Sequence, residues 1–183
     1  VYYHTFLGEK QLLNKYPSWR THNMQIPRIE KILIIDDDLS LRKYISTVLE
    51  WNEFKVYHCS DVQAVSVAKK YRPDVIILDV NMPTYNGIEL FHKFSRHIDL
   101  KDIPIVFVAE VSDEKLVENF FGLGAAGFIP KPINVHRLVE TLTVMWVFYH
   151  LNWNGSTAKT RSFFQKFKSG FLKMCPEKLF RHE

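Results

Sequence analysis

Five short strand-like runs, four of them apolar throughout and each followed by a stretch of helical periodicity, constrain this 183-residue chain more than any other feature. The runs cover residues 32–35, 54–59, 75–78, 105–108 and 127–129. Most lack the polar–apolar alternation of a strand with one wet face, so they read as strands buried on both sides. Between them, apolar residues recur at helical spacing: Leu41, Ile45, Val48 and Leu49; then Ile88, Phe91, Phe94 and Ile98; then Leu116, Val117, Phe120 and Phe121. A helix to Tyr71 is stopped by Pro73, and a last one starts at Val135 and becomes apolar on nearly all sides by Trp146. Ser40 is expected to cap the first helix, and Ser60 or Asp61 the second. Strict βα order with doubly buried strands predicts an α/β fold, a parallel sheet covered by helices on both faces.

In such a sheet, ligands bind at the carboxyl ends of the strands, where the strand order reverses. There the chain carries unusual chemistry. "KILIIDDDLS" runs four aliphatic residues into three adjacent carboxylates, Asp36, Asp37 and Asp38. The third strand ends in Asp79, and Lys131 follows the fifth. A parallel sheet gathers Asp36, Asp37, Asp79 and Lys131 on one edge. Carboxylates crowded in a partly buried cleft require a cation, and a hard divalent ion such as Mg²⁺ suits oxygen ligands. Lys131 adds a second positive charge. The same set suits phosphoryl transfer, in which a metal ion and a lysine offset the charge on phosphoryl oxygens while a carboxylate attacks in line. Asp38 is read as a solvated neighbour or helix cap rather than a ligand.

The segments "KILIIDDDLSLRKYI", "PDVIILDVNMPTYNGIEL", "IPIVFVAEVSD" and "GAAGFIPKPI" together resemble the landmark segments of the response-regulator receiver domain of two-component signalling. The resemblance covers about residues 30–150. It implies a flavodoxin-like (βα)5 three-layer sandwich with strand order 2-1-3-4-5. By the same resemblance, Asp79 is the phosphoacceptor and Asp36 and Asp37 are the acidic pair at Mg²⁺. The backbone carbonyl of Asn81 is a further ligand, Lys131 contacts the phosphoryl group, and the Lys131–Pro132 bond is cis. Phe128 stands at the switch aromatic. Asn86-Gly87 replaces the commoner Asp-Gly, a small change because Asn caps helices about as well as Asp. One departure matters: Ala109 occupies the place of a Thr or Ser whose hydroxyl bonds the phosphoryl group. A hydrogen bond to a charged group is worth about 1.5–3 kcal/mol. The balance between inactive and active states is itself a few kcal/mol, so the readout looks altered while the acceptor chemistry looks intact. Ser112 lies at the wrong spacing to replace the missing hydroxyl.

Outside this region the text is less informative. Residues 1–29 read as an irregular or partly helical arm, and 30–151 as the receiver. Residues 152–183 carry seven basic and two acidic residues, against a net charge of +4 for the whole chain. The basic character therefore belongs to the tail, and nucleic-acid binding by the whole chain is not implied. Phe163, Phe164, Phe167, Phe171 and Met174 form a helical stripe there. It is expected to pack on the receiver or meet a protein partner, with a membrane surface, through 158–175, as the alternative. The tail is too short for a winged-helix output domain and shows no recognition-helix pattern. Apolar residues at 144–151 suggest an interface, either with the arm and tail or with a second copy through helix four, strand five and helix five. The histidines show no metal spacing. Cys59 and Cys175 read as free thiols of a reducing, cytoplasmic compartment, and Cys59 as a packed strand end. The function expected is a non-enzymatic phosphoacceptor, charged by a histidine kinase or phosphotransfer protein, with an unknown downstream partner. A constitutive scaffold of the same fold, uncoupled by Ala109, is the alternative. A small phosphatase finds no support in a substrate-pocket motif.

Overall fold

The computed structural model describes residues 28–110 and 114–153. The expectations for the arm before residue 28, for Ser112, and for the tail beyond residue 153 lie outside the described residues. Five strands, β1 (Lys31–Ile35), β2 (Lys55–Cys59), β3 (Val75–Asp79), β4 (Ile105–Ala109) and β5 (Gly127–Pro130), form one parallel sheet in the order β2-β1-β3-β4-β5. The helices are α1 (Leu39–Trp51), α2 (Ala64–Tyr71), α3 (Gly87–Arg96), α4 (Glu114–Leu123) and α5 (Val135–Trp153). This is the flavodoxin-like (βα)5 architecture the sequence implied, and each strand falls within a residue or two of its apolar run.

The period-two geometry of the strands divides their residues between two cores. Leu33, Ile35, Ile76, Leu78, Phe107 and Phe128 face one side, against Ala64 and Ala68 of α2, Leu90, Phe91 and Phe94 of α3, and Val117 and Phe120 of α4. Ile32, Ile34, Ile77, Val106, Val108 and Ile129 face the other, against Ile45 and Leu49 of α1 and Leu138, Leu142, Met145 and Trp146 of α5. Three layers result, with α2–α4 on one face and α1 and α5 on the other. Met145 and Trp146 are buried in this second core, so part of the apolar character of α5 at this point serves its packing on the sheet.

Local chemistry departs from the sequence reading at three places. Ser40 does not cap α1; Asp38 does, as the helix-cap alternative of its own reading had it, its carboxylate accepting from the backbone N–H groups of Ser40 and Leu41. A carboxylate one residue before the helix reaches two orphan donors, whereas Ser40 already lies in the first turn. A 3₁₀ turn, Asp61–Gln63, precedes α2, and neither Ser60 nor Gln63 caps through its side chain. Ile98 is not on the buried face of α3, because that helix ends at Arg96 and leaves Ile98 79% exposed.

The candidate phosphoacceptor cleft

The strand order reverses between β1 and β3, whose carboxyl ends lie side by side. Each brings a carboxylate straight out of the core. Asp36 follows β1 and is 3% exposed; Asp79 closes β3 and is 2% exposed. Asp37 is exposed. Carboxylate oxygens of Asp36, Asp37 and Asp79 lie within 4.8 Å of one another, so the topology assembles all three carboxylates singled out in the sequence. Lys131, just past β5, reaches across: its Nζ lies 3.0 Å from Asp79 Oδ1 and 3.9 Å from Asp36 Oδ2.

The electrostatics follow from this crowding. Burial, before any other influence, raises the Asp36 pKa; the N–H of Asp38 and the charge of Lys131 oppose the rise, and the charges of Asp79 and Asp37 add to it. Burial alone would lower the Lys131 pKa, but its contact with Asp79 and the charges of Asp79, Asp36 and Asp37 outweigh it and raise the value. Lys131 is therefore a fixed ammonium.

The donor set fits a hard divalent cation. It offers two buried and one exposed carboxylate, and Asp79 Oδ1 is a buried oxygen held by the Lys131 charge but by no hydrogen-bond donor of standard geometry among the described residues. One side of the cluster is open to water at Asp37, as suits Mg²⁺, which retains part of its hydration shell.

The remaining expected site residues are distributed around this cluster. Asn81 is exposed in the β3–α3 loop, two residues beyond Asp79. Ala109, 1% exposed at the end of β4, accepts through its carbonyl a hydrogen bond of 2.9 Å from the Lys131 N–H. The Lys131–Pro132 bond is cis. Phe128 is fully buried, with ring centroids 6.4 Å from both Phe120 and Phe121. Asn86 caps α3 by accepting from the Ile88 N–H, as expected of an Asn in that place. Cys59 is packed at the end of β2, where burial pushes its thiol up to about 11.

Sequence reasoning missed two supporting residues. Arg42, in α1, donates from its guanidinium to the Asp36 carbonyl and so ties the first turn of the helix to the β1 end. Its signal was a basic residue one turn past an acidic cluster. Asp61 was read as a helix cap, but its carboxylate reaches across to the β3–α3 loop. Its place at the end of the strand beside β1 was the available clue.

A doubly covered parallel sheet in the order β2-β1-β3-β4-β5, with an acidic cluster and a lysine at its switch point, defines a flavodoxin-like α/β domain with a candidate cation site. Comparison with known proteins agrees. The family model "Response regulator receiver domain" matches residues 32–143, and the chain belongs to this family. Its relatives include the transcriptional regulatory protein DegU of Brevibacillus brevis, 30% identical over 118 residues, covering 63% of this chain and 49% of that protein. Another is the phosphate regulon transcriptional regulatory protein PhoB of Pseudomonas aeruginosa, 32% identical over 112 residues, covering 61% of this chain and 49% of that protein. Among solved structures, the chemotaxis response regulator CheY4 of Vibrio cholerae is 31% identical with a TM-score of 0.60, over 64% of this chain and 99% of that one. The chain thus spans about half the length of these curated relatives. Receiver domains are signalling domains that typically accept a phosphoryl group, bind Mg²⁺ at an acidic pocket and interact with histidine kinases or phosphotransfer proteins. No helix among the described residues is long and apolar enough to cross a membrane.

Proposed function

We propose that residues 30–151 act as a cytoplasmic phospho-receiver, charged on Asp79 by a histidine kinase or phosphotransfer protein in a Mg²⁺-dependent reaction. The observation that carries this is the convergence of Asp36, Asp37, Asp79 and the Lys131 ammonium at one sheet edge. A carboxylate oxygen of Asp79 attacks the phosphorus of a donor phosphohistidine. The P–O bond forms as the P–N bond breaks, and the electron pair leaves with the imidazole. Lys131, paired with Asp79 at rest, follows the charge onto the incoming phosphoryl oxygens. Asp36, Asp37 and Asp79, with the Asn81 carbonyl, would hold the ion, and its charge would offset that of the phosphoryl oxygens. Output runs through protein contacts, with pairing through α4, β5 and α5 as one route.

Incubation of the whole chain with acetyl phosphate and Mg²⁺ is expected to add one phosphoryl group by intact mass. Asp79→Asn is expected to add none. Equal labelling of both, or labelling of neither with Mg²⁺ bound, would remove the assignment.

Ala109 favours a second reading, a receiver scaffold whose shape ignores its phosphorylation. The position offers a methyl group where a hydroxyl would contact the phosphoryl group, and Phe128 already lies wholly inside the core. Restoring the hydroxyl with Ala109→Thr is expected to create a phosphorylation-dependent change in oligomeric state or hydrogen exchange at α4 and β5 that the parent lacks. The same change already present in the parent on phosphorylation would reject the scaffold reading.

A further inference from the structure

Asp61 is a carboxylate 4% exposed at the carboxyl end of β2, outside the acidic cluster. Among the described residues it forms no ion pair of the kind that holds Lys131. Instead it collects backbone donors from two loops. Oδ1 accepts from the Val62 N–H at 2.7 Å, and Oδ2 from the N–H groups of Thr84 at 3.1 Å and Tyr85 at 2.9 Å. Burial alone would raise its pKa, but the hydrogen bonds from Tyr85, Val62 and Thr84 outweigh it and lower the value, so the clamp is ionised at neutral pH.

The segment it holds is the β3–α3 loop, which leaves Asp79 and carries Asn81. That loop is fixed at its start by the Val80 N–H on the Val108 carbonyl and at its end by the Gly87 N–H on the Val80 carbonyl. At its apex, the described hydrogen bonds are those to Asp61. The ring of Tyr85 is also covered by Lys93 Nζ, 3.3 Å from its centroid. A flexible loop beside a metal site needs an outside anchor to keep a backbone ligand in place, and outer anchors of this kind typically govern metal affinity by about 10–100-fold.

We propose that Asp61 is a positioning residue for the phosphoacceptor cleft, holding the β3–α3 loop so that its backbone can serve the cation and Asp79. This rests on the receiver assignment above. The test uses the whole chain and two readouts, Mg²⁺ affinity by calorimetry and amide hydrogen exchange. Asp61→Asn keeps the size and one acceptor oxygen but removes the charge. It is expected to release the Thr84 and Tyr85 amides, raise the Mg²⁺ Kd about tenfold or more, and leave the Leu33 and Ile77 amides protected. In the unsubstituted chain, Mg²⁺ is expected to slow exchange at Thr84 and Tyr85, because coupling between two sites is reciprocal. Three results would overturn the proposal: Asp61→Asn with both amides still protected, released amides with an unchanged Kd, or no effect of Mg²⁺ on those amides in the parent. A parent chain that binds no Mg²⁺ would remove the receiver assignment and this proposal with it; an unchanged Kd in Asp61→Asn beside normal parental binding removes this proposal alone.

Discussion

Asp36→Asn is expected to raise the melting temperature of the Mg²⁺-free chain and to abolish its stabilisation by Mg²⁺. The carboxyl of Asp36 is 3% exposed, and burial, first among the influences on it, raises its pKa above the ordinary 3.8. The folded chain therefore holds this proton more tightly than the unfolded one. Its stabilising contribution is fully present below 3.8 and is lost as pH rises through the higher folded value, so at neutral pH the ionised group opposes folding. An amide of the same shape removes that opposition. It also removes a hard oxygen charge from the site, so the gain from the ion disappears. Mg²⁺ at a hundredfold excess over its Kd stabilises the parent by about 2.7 kcal/mol, or about 5–10 °C for a chain of this size. Thermal melts of parent and variant, with and without Mg²⁺, measure both effects, and denaturant titrations at several pH values measure the sign. A variant that melts lower than the parent without Mg²⁺, or that still responds to the ion like the parent, would show that Asp36 is not the strained ligand argued for.

The second large effect is expected at Gly87. A Cβ there would collide with the Asp79 carbonyl oxygen and lie 2.8 Å from Val80 Cα. The obstacle is backbone, so no side chain can rotate away. Helix α3 begins against the very residue that closes β3, and the Gly87 N–H bonds the Val80 carbonyl at 2.9 Å. Gly87→Ala is expected to cost about 3 kcal/mol, the upper part of the range for overpacking, or roughly 6–12 °C, and to slow acetyl phosphate labelling because the displaced backbone is that of Asp79. Gly122 provides the contrast: it lies in α4 and a Cβ there meets nothing within 4 Å. Gly122→Ala should stabilise by about 0.5–1 kcal/mol, the ordinary helical advantage of alanine. Equal melting temperatures for the two variants would mean that the close approach at Gly87 is relieved at no cost.

These effects separate the two kinds of constraint acting on the cleft. Asp36 is held where burial makes its charge unfavourable, and the ladder of β1 against β3 enforces that position. Gly87 is required by a backbone contact rather than by charge. Asp61 belongs to neither group: its carboxylate is satisfied by backbone N–H groups and acts on the cleft only through the loop it holds.

The sequence alone determined the layering, the strand order through its family resemblance, and the four charged residues of the cleft. The reason is local and periodic. Unbroken apolar runs must be covered on both faces, and charged residues placed directly after them must emerge at one edge of a parallel sheet. The Asn86 cap was legible because it depends on immediate neighbours, and the cis Lys131–Pro132 bond because the family resemblance implied it. What the tertiary structure decided involves groups distant in the chain or competing for one donor. Asp38 rather than Ser40 caps α1, since only the fold shows where the helix starts. Asp61 bonds residues 23 and 24 positions away, and no periodicity encodes that reach. Met145 and Trp146, by sequence only part of an apolar stretch, are buried because α5 packs on the sheet face shared with α1. Phe128 lies inside the core because Phe120 and Phe121 pack against it, a three-dimensional circumstance that the residue's own position in "GFIPKP" does not reveal.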